Sequence, residues 1–429
     1  MTSADASAGG GGPSPADRVR RTVLPNGLRI LTDEQPDRAS VAISAWVAVG
    51  SRDEPAPLAG ASHFLEHLLF KGTAERDAKS IALAIDGVGG EMNAFTANEH
   101  TAFYTRVSAS DAHVAVDLLL DVLERPLLAA REVDSERQVI LEELAAADDD
   151  PDDVVSVRLF EALFPGHPLG RETLGTVETI ESLGRDDIAA FFERWYQPAN
   201  LVFAAAGNID HDVFVDEVQR RFGGRAPGEA PQRVAPDAAV VATVVTPRPG
   251  ELAHLALGWR APGINDPDRF ALALLNHVFG GGPSSHLFQE IREARGLTYS
   301  VGSEVSQHVD AGALTVHCAT APAKASQLLE LVDLIVGRLA VRGLDREELA
   351  RAKGALRGGL VMGFESPAAR MTRLGVGETM RGGVTPIGEH LARLEAVTVE
   401  DVQRVAARVF GSARSLSLVG PEGFELPPA

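Results

Sequence analysis

The chain has 429 residues, 45% of them apolar and 23% charged, with 60 acidic against 40 basic side chains and a net charge of −20. That length suits about two to three ordinary domains, and the composition is that of a folded globular protein. The acidic excess argues against nucleic acid as a partner and favours cationic ligands such as basic peptides. No apolar run approaches the roughly 20 residues that span a bilayer, so no membrane partner is expected.

Residues 1–18, rich in Gly, Ser, Ala and Pro, read as a disordered tail without the apolar core of a secretory signal. From Thr22, TVLPNGLRILTD predicts two strands joined by an Asn26-Gly27 hairpin turn, and residues 40–49 a third strand. Helical periodicity follows over 60–70 and 80–86, then the hairpin-like EMNAFTANEHTAFYTRVS. Helices near 110–124, 131–147, 154–163 and 186–194 lead to a strand at 200–209. These make a first domain over 19–222. The Gly/Pro/Ala-rich stretch 223–243 reads as a linker.

The second domain, 244–424, repeats the order: a strand at LAHLALGWRAPG, a helix over 270–281 and two strands within 296–320. Helices near 323–341, 346–362 and 398–409 precede a last strand, SARSLSLVG. LLNHVFGGG resembles LEHLLFKGT, and LDREELARAKGAL resembles VDSERQVILEEL. Two similar α+β halves are therefore expected, each a mainly antiparallel sheet with helices packed on it. The second lacks the histidine pair of the first. The lone Cys318 excludes an intrachain disulfide, fits a reducing cytoplasmic setting, and reads as a small buried hydrophobe.

That pair lies in SHFLEHLL. On a helix, His63, Glu66 and His67 share an arc of about 100°. Imidazoles at i and i+4 are spaced to hold one divalent ion, and Glu66 can reach a water on that ion without ligating it. Two buried histidines satisfied by their neighbours are the bland alternative, which the rarity of H-x-x-E-H disfavours. A catalytic zinc takes three protein ligands and keeps one position open. VDSERQVILEELAAA offers Glu136 and Glu143, two turns apart on one face with Ile140 between them; spacing alone does not choose.

Together, H-x-x-E-H and ERQVILEEL resemble the pitrilysin/insulinase family of inverted-motif zinc peptidases, nearest its shorter bacterial members similar to mitochondrial processing peptidase. The likeness also takes in VGSRDEP, GGEMNAFTANEHTAFY, HPLGRETLG and GGGPSSHLFQEIREARGLTYSV, and so nearly the whole chain. It implies two halves closing around a substrate chamber and one zinc ion per chain on His63, His67 and Glu143. Glu66 is then the general base, and Glu136 orients a ligand or water. Arg292 and Tyr299, in R-x-x-x-G-x-x-Y, match a pair aimed at the substrate carbonyl. Asn93, Ala94 and Phe95 match the edge to which a peptide adds, and Phe64 a pocket wall beyond the scissile bond.

Two departures stand out. His286 stands where relatives often have arginine and Pro283 where they have another residue, and only Asp153 matches an acidic grip for basic residues, its expected companion being Val157. The resemblance implies a zinc metalloendopeptidase acting on short or unfolded peptides, active as a homodimer. The competing readings are a non-catalytic peptide-binding or assembly subunit of the same fold and a zinc amidase acting on small molecules. The intact motif opposes the first, the peptide edge the second.

Overall fold

The computed structural model describes residues 18–424, so the expected tail at 1–18 lies almost wholly outside the described residues. Two strands, β1 (Val19–Val23) and β2 (Arg29–Glu34), pair antiparallel across the Asn26-Gly27 turn. Then come β3 (Ser40–Val47), α1 (Ala61–Leu68), α2 (Ala78–Gly87) and the hairpin β4 (Glu91–Thr96) and β5 (Thr101–Ser108). Helices α3 (Ala112–Glu124), α4 (Ala130–Asp149), α5 (Pro151–Leu163), α6 (Val177–Ser182) and α7 (Arg185–Trp195) follow. Strand β6 (Leu201–Gly207) and helix α8 (His211–Phe222) complete the first half. Its sheet runs β1-β2-β6-β3-β5-β4, antiparallel except for β2 beside β6, and leaves β4 at an edge.

The second half holds β7 (Ala242–Pro247), β8 (Ala253–Ala261), α9 (Arg269–Phe279), β9 (Thr298–Gln307) and β10 (Gly312–Thr320). Helices α10 (Ala325–Arg342), α11 (Arg346–Gly363), α12 (Pro367–Arg381), α13 (Ile387–Ala396) and α14 (Val399–Phe410) precede β11 (Arg414–Gly420). The sheet order β7-β11-β8-β10-β9, again with one parallel pair, repeats the order β2-β6-β3-β5-β4. Each sheet has its own core, built around Phe64, Phe103 and Phe203 in the first half and Trp259, Phe279 and Leu314 in the second.

The halves exchange a helix. Helix α5, from before the linker, seats Val154, Val155, Leu159 and Leu163 on Ala256, Ala313 and Val419 of the second sheet. Helix α12, from the second half, seats Met371 and Leu374 on Leu31, Ala42, Trp46, Ala102 and Ala204 of the first. Small side chains on both sheets let these helices approach closely. The runs SVAISAWV and LVFAAAG are apolar almost throughout because both faces of β3 and β6 are covered.

The apolar stripe that predicts a helix is weak in α12. Its buried side carries Arg370, Gly375, Gly377 and Glu378 beside Met371 and Leu374. Arg370 pairs with buried Asp33 at 2.8 Å, and Glu378 accepts from Arg21 at 2.8 Å. A Cβ on Gly375 would lie 1.9 Å from Nε1 of Trp46, an indole already held by Ser44 Oγ at 2.8 Å. We expect Gly375→Ala to lose about 1–3 kcal/mol of stability by overpacking, read as a lower thermal midpoint. An unchanged midpoint would show that α12 is not seated on the first sheet.

The linker is pinned rather than free. Residues 223–241 form no helix or strand, and β7 begins at Ala242, inside the expected linker. Arg233 nevertheless reaches Asp53 at 2.7 Å, and Asn200 donates to the Glu229 carbonyl at 2.9 Å.

Candidate metal centre and peptide edge

Gly60 caps the start of α1, and its φ of +94 and the closeness of Ile180 and the Leu174 carbonyl leave no room for a side chain. Glu54 accepts from the N–H groups of Gly60 and Ser62 at 2.8 and 2.7 Å, satisfying donors that a helix start leaves open. Burial pushes the Glu54 carboxyl up to about 7, against those hydrogen bonds. Ala61, Phe64, Leu65 and Leu68 bury one side of α1 and turn His63 and His67 toward α4.

One ligand atom each from His63, His67 and Glu143 lies within 4.8 Å of the others, a group able to hold a metal ion. Glu143 Oε2 sits 3.8 Å from His63 Nε2 and 3.7 Å from His67 Nε2. That oxygen is buried and makes no hydrogen bond among the described residues. Tetrahedral zinc with bonds of about 2.0–2.1 Å separates its ligand atoms by about 3.4 Å. The three side chains therefore fit zinc with a small contraction. Burial, reinforced by His67, lowers the His63 pKa to about 4, so its imidazole is neutral and keeps a lone pair for a cation.

Glu136 takes a different place. Buried on the same face of α4, it accepts from His67 Nδ1 at 3.1 Å and from Lys71 Nζ at 2.7 Å. The first bond fixes the proton on Nδ1 and frees Nε2. The geometry thus separates the two carboxylates that spacing leaves equivalent. Lys71 escapes the sequence reading; its place four residues beyond His67, just past the end of α1, is the signal that points to it. Glu66 is half-buried. Burial raises its carboxyl above the usual range and nearby Glu143 adds to this, while Thr96 and His67 act against it.

The edge strand β4 passes beside this group, Thr96 Oγ1 lying 3.5 Å from the Ser62 carbonyl. Ala94 points into the core, while Asn93 and Phe95 face outward. The Ala94 N–H donates to Asn93 Oδ1 at 2.8 Å. Phe95 meets Trp46 edge to face, with ring centroids 5.7 Å apart. Asp153, in the first turn of α5, lines a cavity of about 410 Å³ with Asn98, Ala147, Val157, Phe160 and Ser306. Ala147 stands one turn beyond Glu143 on α4, so the cavity opens close to the metal group.

The metal group itself takes in neither Phe64 nor the pair Arg292 and Tyr299. Phe64 is fully buried in the first core, on the inward face of α1, with the Arg137 guanidinium over its ring. Arg292 and Tyr299 contact each other, with the guanidinium 5.0 Å from the centre of the phenol ring. Among the described residues, however, no hydrogen bond, ion pair or ring contact links them to the metal group, and Tyr299 is 85% exposed. His286 is engaged by Glu348 at 2.6 Å and Arg338 at 3.0 Å, a local network.

In the second half, the matched stretch puts Leu275 where Glu66 stands and Asn276 where His67 stands; Asn276 Oδ1 accepts from Ser303 at 2.6 Å. Cys318 is buried, its thiol pushed up to about 12 by burial, which suits the small-hydrophobe reading. Among the described residues no helix is long and apolar enough to cross a membrane.

Two topologically matched halves, one bearing His-His-Glu on adjacent helices, define a two-half α+β protein able to hold one metal ion. The chain belongs to the insulinase family of M16 peptidases. The family model described as insulinase (peptidase family M16) matches residues 29–177, and that described as the peptidase M16 inactive domain matches residues 182–356. An uncharacterized zinc protease of Mycobacterium tuberculosis is 43% identical over 419 residues, covering 96% of this chain and 95% of the relative. Another from Bacillus subtilis is 35% identical over 406 residues, covering 94% and 99%. The fold is similar to a peptidase M16 inactive domain from Pseudomonas fluorescens, with TM-score 0.87 and 22% identity, covering 96% of this chain and 100% of that one. A protease from Helicobacter pylori gives the same TM-score and identity, covering 94% of this chain and 100% of its own. The "inactive" model falls on the stretch that carries Leu275 and Asn276 at the motif.

Proposed function

We propose that the protein is a zinc-dependent metalloendopeptidase that hydrolyses peptide bonds in short or unfolded peptides, in the manner of a processing peptidase. The observation that carries this reading is the buried, unpartnered Glu143 oxygen between two imidazole nitrogens, with Glu66 one residue before the second histidine. Zinc-protease names among the relatives support it.

His63, His67 and Glu143 would hold one zinc ion per chain, which would supply an acidified water and polarise the peptide carbonyl. Glu66 takes the proton of the attacking water and returns it to the leaving amine. Glu136 keeps His67 in the tautomer that presents Nε2. The free edge of β4 pairs with the peptide main chain around Ala94, with Asn93 swinging aside, which tolerates varied sequence. Asp153 and the acidic surroundings favour basic side chains.

Arg292 and Tyr299 are donors for the oxyanion, each typically worth about 100- to 1000-fold in rate. Ser306 rims the cavity, and Tyr299 lies seven extended residues earlier on β9, about 23 Å at 3.3 Å per residue. In a homodimer this pair would serve the metal site of a second copy. The buried single cysteine suits a cytoplasmic setting.

Purified protein is expected to carry zinc and to cleave a quenched basic peptide without any second polypeptide, losing activity with a chelator and regaining it with zinc. Zinc-loaded protein that binds but does not cut such peptides would leave the non-catalytic subunit in its place.

A further inference from the structure

The stretch VGSRDEP takes no part in the chemistry above, yet it sits where four segments meet. The Arg52 guanidinium is buried and donates to Glu99 at 2.6 Å, to both oxygens of Asp310 at 2.7 and 2.8 Å, and to the Val234 carbonyl at 2.7 Å. Asp53 accepts from the linker's Arg233 at 2.7 and 2.8 Å; that guanidinium also reaches the Glu99 carbonyl at 2.8 Å. Glu54 caps the start of α1, as described above.

The same turn holds the end of the peptide edge. Ser51 N–H donates to the Ala97 carbonyl at 3.2 Å and Arg52 N–H to the Asn98 carbonyl at 2.7 Å. Glu99, in the β4–β5 turn, also accepts from the Val309 N–H at 2.8 Å, between β9 and β10 of the second half. Three consecutive charged residues thus tie the second half, the linker and the metal-bearing helix to one turn.

We propose that Arg52, Asp53 and Glu54 are positioning residues, and that Asp310, clasped by Arg52, is the second half's contribution to placing the β4 edge beside α1. Buried charge pairs of this kind fix one geometry, because removing one partner strands the other. The inference rests on the peptidase reading for its kinetic consequence, though not for its structural one.

Asp310 is the residue to test because its side chain is 28% exposed and far from the metal group in sequence. In the full-length, zinc-loaded chain, Asp310→Ala is expected to lower kcat/KM on a quenched basic peptide about 10-fold, mainly through KM, below the roughly 100-fold cost of a 1 Å misplacement in a reacting group. Zinc content stays at the wild-type level. Amide exchange quickens at 97–101 in zinc-free and zinc-loaded protein alike, and Asp310→Glu restores both readouts. Should Asp310→Ala fail to fold, Asp310→Asn takes its place with the same readouts. Exchange at 97–101 at the wild-type rate, or a KM within twofold of wild type, overturns the proposal. A wild-type chain that cuts no peptide sinks the peptidase reading instead, and the exchange arm then decides the positioning role alone.

Discussion

Glu66→Gln is expected to abolish peptide hydrolysis while zinc stays bound at the wild-type level. The amide has nearly the shape of the carboxylate but cannot take a proton, so the loss reads the proton transfer alone. General-base catalysis contributes about 100- to 10,000-fold. Burial, with a smaller push from Glu143, raises the Glu66 carboxyl above the usual range, against Thr96 and His67. Steady-state kinetics beside metal analysis checks this. Wild-type turnover in the variant would remove Glu66 from its role, and loss of zinc would make it a ligand.

Glu143→Ala is expected to empty the metal group and with it all activity. Two imidazoles remain, and they do not make the three-ligand site that a catalytic zinc uses. Glu136→Gln is expected to be milder, with metal affinity or activity down about 10- to 100-fold, since it loses a charged partner for His67 without removing a ligand. Its neighbour Lys71 also loses a charged partner at 2.7 Å, which adds a stability cost that Glu143→Ala does not carry. Titration with zinc under a competing chelator ranks the two. If Glu136→Gln released zinc more completely than Glu143→Ala, the assignment of the two carboxylates would be reversed.

Much of this is legible in the residues themselves. The Asn26-Gly27 turn, the period-two hairpin around Asn93, and the His63–Glu66–His67 face follow from local rules. The repeated order of elements discloses two alike halves, because strands and helices leave different apolar patterns in the chain.

What the chain does not display is anything decided by a surface that some other segment supplies. Glu136 and Glu143 are equivalent on a helical wheel; only the placement of α1 against α4 gives one to both Nε2 atoms and the other to Nδ1. Phe64 shares the motif with the histidines but lies on the inward side of α1. Helix α12 hides because it packs through glycines and ion pairs on a sheet whose last strand ends at Gly207, so its buried side carries little apolar signal. Periodicity reports burial only where burial is achieved by apolar side chains. Where charge pairs or the absence of a side chain achieve it, as at Arg370, Gly375 and Arg52, the tertiary structure alone decides.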